Sequence, residues 1–425
     1  MAALRRRVVM PQADAGDGQR QHVRFLILYA AAFAGGAVAY YPFLSVILPV
    51  QATVMTGSGE AALPLLAYIA FAGAITASLS NIGFGWISDR MQTRRPLIAG
   101  GMLGSSALLA AMPLATGPAM LIGMILVWQL CLNAMLAPLA AWAGDQVPDA
   151  QKGLLGGLLA FAPAMGALSG AVVTYTPWVS VEARHIVVAL LVVALVSPAL
   201  LFARPRAMPH LMQAPAASVA ERGSLLSRLS RPVLVLWLAR LLVQVAEASL
   251  FAFLLLWFRS IVPGFAEHRS ATILTFTLCG AVLAALAIGG WSDRARRPLL
   301  PLALCALVSM GGLLLMASAV TLHAAIIGYA VFGLASNVFL ALHSGQTLRV
   351  LPSPERRGRD LGLFNLTNTV PSLVMPWLTL ALVPLYGFGA LFVVLAVLVG
   401  MAAIIIALLM RLQGEGRIDQ AGRRA

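Results

Sequence analysis

Charge is almost excluded from twelve successive stretches of this chain, each about as long as a helix that crosses a bilayer. Read between charged or Pro- and Gly-rich breaks, these apolar runs cover about 25–50, 62–87, 96–114, 118–142, 153–176, 185–203, 233–258, 270–291, 298–319, 321–346, 360–384 and 386–410. A transmembrane helix needs roughly 20 predominantly apolar residues. In lipid its backbone polar groups must be satisfied internally, and the runs lack the alternation of a barrel strand. Of the 425 residues 60% are hydrophobic and only 10% charged, whereas soluble domains carry about 25% charge. The expected fold class is an all-α membrane protein with twelve transmembrane helices.

The basic residues set the expected orientation. Twenty-five of the 29 fall on one side if the two termini share it: Arg5, Arg6, Arg7, Arg20 and Arg24 before the first run, then groups in alternate loops and Arg411 onward. The other side holds only Arg184, Arg259 and Arg269, and Arg240 lies inside a run. Cytoplasmic loops are enriched in Lys and Arg, so both termini are expected in the cytoplasm of a bacterial-type inner membrane. The net charge of +14 then reflects topology and not a nucleic-acid footprint. The first run is too long for the roughly 7–15-residue apolar core of a signal peptide, so it reads as a retained helix.

The chain repeats itself. Gly85-Trp86-Ile87-Ser88-Asp89-Arg90 and then Arg94-Arg95-Pro96 join runs two and three; Gly290-Trp291-Ser292-Asp293-Arg294 and then Arg296-Arg297-Pro298 join runs eight and nine. Val147-Pro148 with Lys152-Gly153 is answered by Leu351-Pro352 with Arg357-Gly358, at nearly the same offset. A duplicated six-helix unit is expected, with repeats related by an axis along the membrane normal. The division is a tail (1–24), a first bundle (25–203), a linker (204–232), a second bundle (233–410) and a tail (411–425).

Gly85, Asp89, Arg90, Arg94 and Arg95 resemble the signature of the major facilitator superfamily between its second and third helices. The usual glycine after the Asp-Arg pair is missing, and Gln92 occupies its approximate place. Asn81 to Arg90 and Asp360 to Thr369 also resemble the sugar–cation symporter branch. The resemblance implies the major facilitator fold, two pseudo-symmetric six-helix bundles, and transport by alternating access. It further implies a cytoplasmic latch of Gly85, Asp89, Arg90, Arg94 and Arg95, with Asp293 and Arg294 in the second half. Asp145 is the candidate acid for Arg90 or Arg94, and such pairs are expected to break when the cytoplasmic side opens. The alternative is that these arginines only hold the loop in the cytoplasm. Position 349, opposite Asp145 in the repeat, is arginine, so the latch is expected to be asymmetric.

Charges at bilayer depth are costly and usually face a cavity or a partner. Arg240, Gln244 and Glu247 are spaced i, i+4 and i+7, which puts them on one helix face. Three readings stand side by side. Glu247 carries a coupling proton, the charges bind a substrate group of opposite sign, or Arg240 and Glu247 form a permanent structural pair. The superfamily lines its cavity with helices 1, 4, 7 and 10, so Tyr40, Tyr41, Gln129, Asn133 and Asn337 are cavity candidates, joined by Asn365 and Asn368 on helix 11. Interhelical hydrogen bonding is the alternative for each. His343 reads as a satisfied interfacial histidine, and the glycine pairs 35–36, 156–157 and 289–290 as close helix packing. Pro42, Pro163, Pro371 and Pro376 are expected to kink helices 1, 5 and 11.

Other classes find no support. The only lysine, Lys152, precedes Gly153, so no Walker A loop exists. Metalloprotease and serine-hydrolase motifs are absent, and Cys131, Cys279 and Cys305 lie in apolar runs without metal-ligand spacing. No enzyme, cofactor, metal or nucleotide is expected. The partners expected are a small-molecule substrate, protons and the bilayer. The leading expectation is a secondary transporter performing proton-coupled uptake of a polar or sugar-like solute. Proton-antiport efflux of amphipathic compounds competes, although the arginine that efflux branches place in helix 4 is absent between Pro118 and Trp142. A transport-inactive sensor on the same fold is the alternative from another class.

Overall fold

A computed structural model of the protein describes residues 20–91, 93–159, 161–206, 208, 231–295, 299–350 and 357–422, some helix ends by backbone alone. Every regular element among them is helical. The first half comprises α1 (Val23–Thr56), α2 (Gly59–Met91), α3 (Arg95–Leu114), α4 (Pro118–Gln146), α5 (Asp149–Leu159 and Ala162–Thr174) and α6 (Arg184–Phe202). The second comprises α7 (Arg231–Ile261), α8 (Glu267–Ala295), α9 (Leu300–Ala317), α10 (Leu322–Val350), α11 (357–386) and α12 (388–422).

Among the described residues, eleven helices are long and apolar enough to cross a membrane, and the last of these covers 43 residues from Thr369 to Arg411. At about 1.5 Å per residue that is roughly twice the ~30 Å hydrocarbon thickness, enough for two crossings. Gly387 separates them: its φ of 73° and ψ of 177° are non-helical, and only glycine adopts this region readily. The twelve expected spans are therefore present, with most ends extended by a few residues.

The regular α-helix changes at two of the four prolines expected to kink it. After Pro42, α1 passes through a π-helical stretch, Phe43–Ile47, before resuming; a missing N–H invites this local widening. The fifth span is interrupted between Leu159 and Ala162, with Pro163 at the start of the second segment. By contrast, α11 keeps helical dihedrals through Pro371 and Pro376.

The packing displays the duplication. In the first half α1 packs on α5 and α6, α2 on α4, and α3 on α4 and α6. In the second, α7 packs on the α11–α12 rod, α8 on α10, and α9 on α10 and α12. Between halves, α5 packs on α8 and α2 on α11, contacts that map onto each other under the repeat. An outer surface of large apolar side chains, including Leu190, Phe276 and Leu283, suits lipid as solvent.

The ends of the bundle differ. One end carries the start of α1 and the loops α2–α3, α4–α5 and α6–α7; it is called the terminal face, and the opposite end the far face. Among the described residues, ring and ion-pair contacts between halves run from mid-membrane to the far face. Tyr40 and Tyr41 meet Phe251, Tyr68 and Phe71 meet Trp377, Tyr175 meets His268, and Arg184 meets Glu267. Toward the terminal face, Gly83, Gly85, Gly156, Gly157 and Gly290 have no described neighbour within 4 Å of where a Cβ would stand. Close packing was expected at 156–157 and 289–290. Among the described residues only Gly289 has it, against Leu342.

Candidate functional site

The seam between the halves holds two adjoining cavities. The first, ≈ 180 Å³, is walled by Tyr40 and Tyr41 from α1, Gln244, Glu247 and Phe251 from α7, and Tyr329 from α10, with leucines of α8 behind them. The second, ≈ 230 Å³, is mainly aliphatic, with Leu44, Leu66, Ile69 and Met375 around Gln129. Ala248 and Phe251 wall both. A polar chamber and an apolar chamber thus meet at one phenylalanine.

Glu247 sits near the middle of α7 and faces the polar chamber. Its carboxylate accepts hydrogen bonds from Ser336 Oγ and Asn337 Nδ2, both at 2.7 Å. Among the described residues no cation pairs with it. Arg240 turns elsewhere: its Nε donates to Thr367 Oγ1 at 3.1 Å and its NH1 to the Leu340 carbonyl at 3.4 Å. The Arg240–Glu247 pair is therefore not formed. Roughly 10 Å of axial separation over seven residues leaves each group closer to neighbours on α10 and α11. Among the described residues the Gln244 Oε1 has no hydrogen-bond partner. An acceptor-rich wall remains, with a carboxylate able to take up a proton or face an N–H or O–H donor.

The other candidates separate into cavity and framework. Tyr40 and Tyr41 stack obliquely, with centroids 4.7 Å apart, against Phe251. Gln129 faces the apolar chamber. Asn133 instead accepts from Asn81 Nδ2 at 3.3 Å and donates to the Gln129 carbonyl at 2.9 Å, tying α4 to α2. Asn337 supports Glu247 and is not part of the chamber wall. His343 meets the Leu236 carbonyl at 2.9 Å, joining α10 to α7. The side chains of Asn365, Asn368 and Asp293 lie outside the described residues.

At the terminal face one arginine gathers three helix ends. Arg94 NH1 reaches Asp89 Oδ1 at 2.6 Å and donates to Ser88 Oγ, while its Nε reaches Asp145 Oδ2 at 2.9 Å. Burial disfavours the guanidinium charge, but the hydrogen bonds that Arg94 donates to Asp145 and Asp89, with the attraction of the two carboxylates, outweigh it and raise Arg94 above its ordinary value. Arg95 donates to the Ala203 carbonyl and lies near Trp142. Arg90 does not pair with Asp145; its guanidinium lies 3.8 Å from the Trp86 ring centre. Arg294 is exposed. Gln21 and Gln151 exchange two hydrogen bonds, and the Gln21 amide exchanges two more with the Arg206 backbone. All these bonds stay within the first half. The expected pairing of Arg94 with Asp145 is formed, and among the described residues Arg94 ties together the ends of α2 and α4.

Sequence reasoning passed over Ser336, Tyr329 and Phe251. A signal existed on α10, where Tyr329, Ser336 and Asn337 follow i, i+7, i+8 spacing and so share a face. It also treated Arg184 and Arg259 only as topological charges. Glu267 lies 2.8 Å from Arg259 and 3.6 Å from Arg184. With only 15 acids in the chain, one beside these arginines was a usable clue.

Two six-helix halves around a seam cavity, with polar groups facing it at mid-membrane, have the architecture of a membrane transporter. The family model described as Major Facilitator Superfamily matches residues 25–352 and 271–425, and the chain belongs to that superfamily. No curated protein matches the chain.

Proposed function

We propose that this protein is a proton-coupled secondary transporter in which Glu247 carries the coupling proton, moving a small solute through the seam cavity by alternating access. One observation carries this reading. A carboxylate at mid-membrane faces the cavity and, among the described residues, is held by neutral donors and by no cation. A charge so placed is costly unless compensated, and a proton from the cavity compensates it at no structural cost. Protonation then changes the relative energies of states that expose the cavity to either side, which is the requirement for coupling.

The direction proposed is uptake of a polar solute, with both termini cytoplasmic in an inner membrane and the basic loops facing inward. The linker 204–232 joins bundles 25–203 and 233–410. The Arg94 cluster acts as a brace for the cytoplasmic ends of α2, α3 and α4. The aliphatic second chamber favours one rival: a solute with an apolar portion, as in efflux of amphipathic compounds.

Transport into proteoliposomes under an imposed pH gradient tests the reading, with wild type and Glu247→Gln compared across sugars and amphipathic amines. Gradient-driven accumulation in wild type and its loss in the variant are expected. Accumulation undiminished in the variant would remove Glu247 from coupling.

A further inference from the structure

The two seam chambers hold open polar groups that the coupling role proposed for Glu247 leaves unused. In the apolar chamber they are the side-chain amide of Gln129, on α4, and the hydroxyl of Ser372, on α11. Each half of the protein thus contributes one. The Gln129 backbone carbonyl accepts from Asn133, but among the described residues neither the Gln129 amide nor the Ser372 hydroxyl has a hydrogen-bond partner. Both side chains are half-buried and line the chamber, and none of their polar atoms is sealed away from it. On the other side of Phe251, the Tyr329 hydroxyl is likewise unpaired among the described residues and shares the polar chamber with Glu247. A solute that fills both chambers therefore meets hydrogen-bonding groups at its two ends and an apolar waist between them.

The chemistry of the walls narrows what fits. Among the described residues no arginine, lysine or histidine lines either chamber, so an anion would lose its water without gaining a partner. A cation would replace the proton on Glu247 instead of travelling with it. The end of the solute that enters the second chamber must lie against Leu66, Ile69 and Met375. Hydroxyls on every side, as on a second sugar ring, would be desolvated there and unpaired. An alkyl chain suits those walls, but it covers the Gln129 amide without bonding to it, and a covered, unpaired amide is unfavourable. A flat ring meets both demands. Its faces lie on the aliphatic walls and on Phe251, while an N–H and a C=O on its edge pair with an amide, which donates and accepts side by side.

We infer that the seam takes a neutral two-part solute, a hydroxylated ring in the polar chamber joined to a flat ring with an amide edge in the apolar one. This is the chemistry of a nucleoside, and it rests on the seam being the solute path, as proposed above. Ring hydroxyls pair with Tyr329 and with protonated Glu247, which donates where the carboxylate only accepts. Gln129 reads the edge of the flat ring and Ser372 meets it from the opposite half, so the bound solute links the two bundles. The chambers, ≈ 180 and ≈ 230 Å³, together fall within the roughly 300–1,000 Å³ of small-molecule pockets.

Uridine serves as probe, and its equilibrium binding to the full-length protein in phospholipid nanodiscs needs no proton gradient. Saturable binding is expected, about tenfold or more tighter than that of ribose, uracil or hexyl riboside, each of which lacks one part. Gln129→Leu, a change to an apolar group of similar size, is expected to weaken uridine about tenfold and leave hexyl riboside undiminished. Loss of structure alone would weaken both ligands together. Melting curves should show the fold retained, because the Gln129 amide bonds to nothing described in the protein. Absence of saturable uridine binding, uridine bound no tighter than hexyl riboside, or a Gln129→Leu variant that does not separate the two ligands would each overturn the solute class. Uptake under a pH gradient keeps this result apart from the coupling role. Uridine that binds and still accumulates in Glu247→Gln would remove the coupling role and keep the solute. Accumulation of another solute that depends on Glu247, without uridine binding, would do the reverse.

Discussion

Arg184 and Glu267 approach to 3.6 Å across the boundary between the two halves, and among the described residues theirs is the ion pair that joins them. Glu267 also holds Arg259 at 2.8 Å, within the second half. One carboxylate thus clamps an arginine from each bundle at the far face. Glu267→Gln deprives Arg259 of its counter-ion in either state, but Arg184 loses one only when this face is closed, so the closed state bears the added cost. Loss of about 1.4 kcal/mol moves the equilibrium roughly tenfold toward an open far face. Spin-label distances between the α5–α6 and α7–α8 connections should lengthen accordingly. An unchanged distance distribution would remove Glu267 from the closure.

The clamp has a counterpart in the Arg94 cluster, whose two acids are unequal. Asp145 is 25% exposed and Asp89 68%, and an exposed ion pair contributes little. Asp145→Asn should therefore lower the melting temperature more than Asp89→Asn, the two costing on the order of 1 kcal/mol and a few tenths respectively. Arg94→Lys should not restore the cluster, because an ammonium cannot present the separate Nε and NH1 donors used here. Melting curves of the three variants check this order.

Two glycines in the first half should respond oppositely. A Cβ on Gly101 would meet backbone atoms of α4, with Cys131 O at 2.7 Å and Ala134 C at 2.8 Å. Backbone cannot step aside as a side-chain tip can, so Gly101→Ala should destabilise by about 1–3 kcal/mol through overpacking. At Gly85 nothing described stands within 4 Å, and Gly85→Ala, inside a helix, should raise stability by about 0.5–1 kcal/mol. A melting temperature that falls equally in both would contradict this difference in packing.

Phe251 separates the polar and apolar chambers. Phe251→Ala should merge them and admit bulkier solutes, at the expense of the ring contacts to Tyr40 and Tyr41 at 6.1 and 5.0 Å. Competition of a graded series of solutes for transport would report the change. An unaltered size limit would mean that another group sets it.

Much of the architecture was legible because lipid imposes simple rules. Span count, helical state and duplication followed from run length and repeated loops, and the alternation of basic loops gave the expected orientation. Glu247 and its neighbours stood out because charge is rare in these runs. Their partners did not. Spacing put Arg240 and Glu247 on one face, but it could not say that α10 offers Ser336 and Asn337 to the acid while α11 offers Thr367 to the arginine. Asn133 carried the same polarity as Gln129, yet one bonds to α2 and the other faces a chamber.

By itself the sequence determined that the chain crosses the membrane twelve times as two repeats, because each span must satisfy its own backbone and hide its own charge. The tertiary structure alone decided which polar side chains meet. Those contacts join groups about 90 residues apart, as from Glu247 to Ser336 and Asn337, and depend on the rotation of each helix about its axis. Hydrophobicity in a lipid solvent leaves that rotation nearly free; it is set by packing, such as the close approach of α3 to α4 at Gly101.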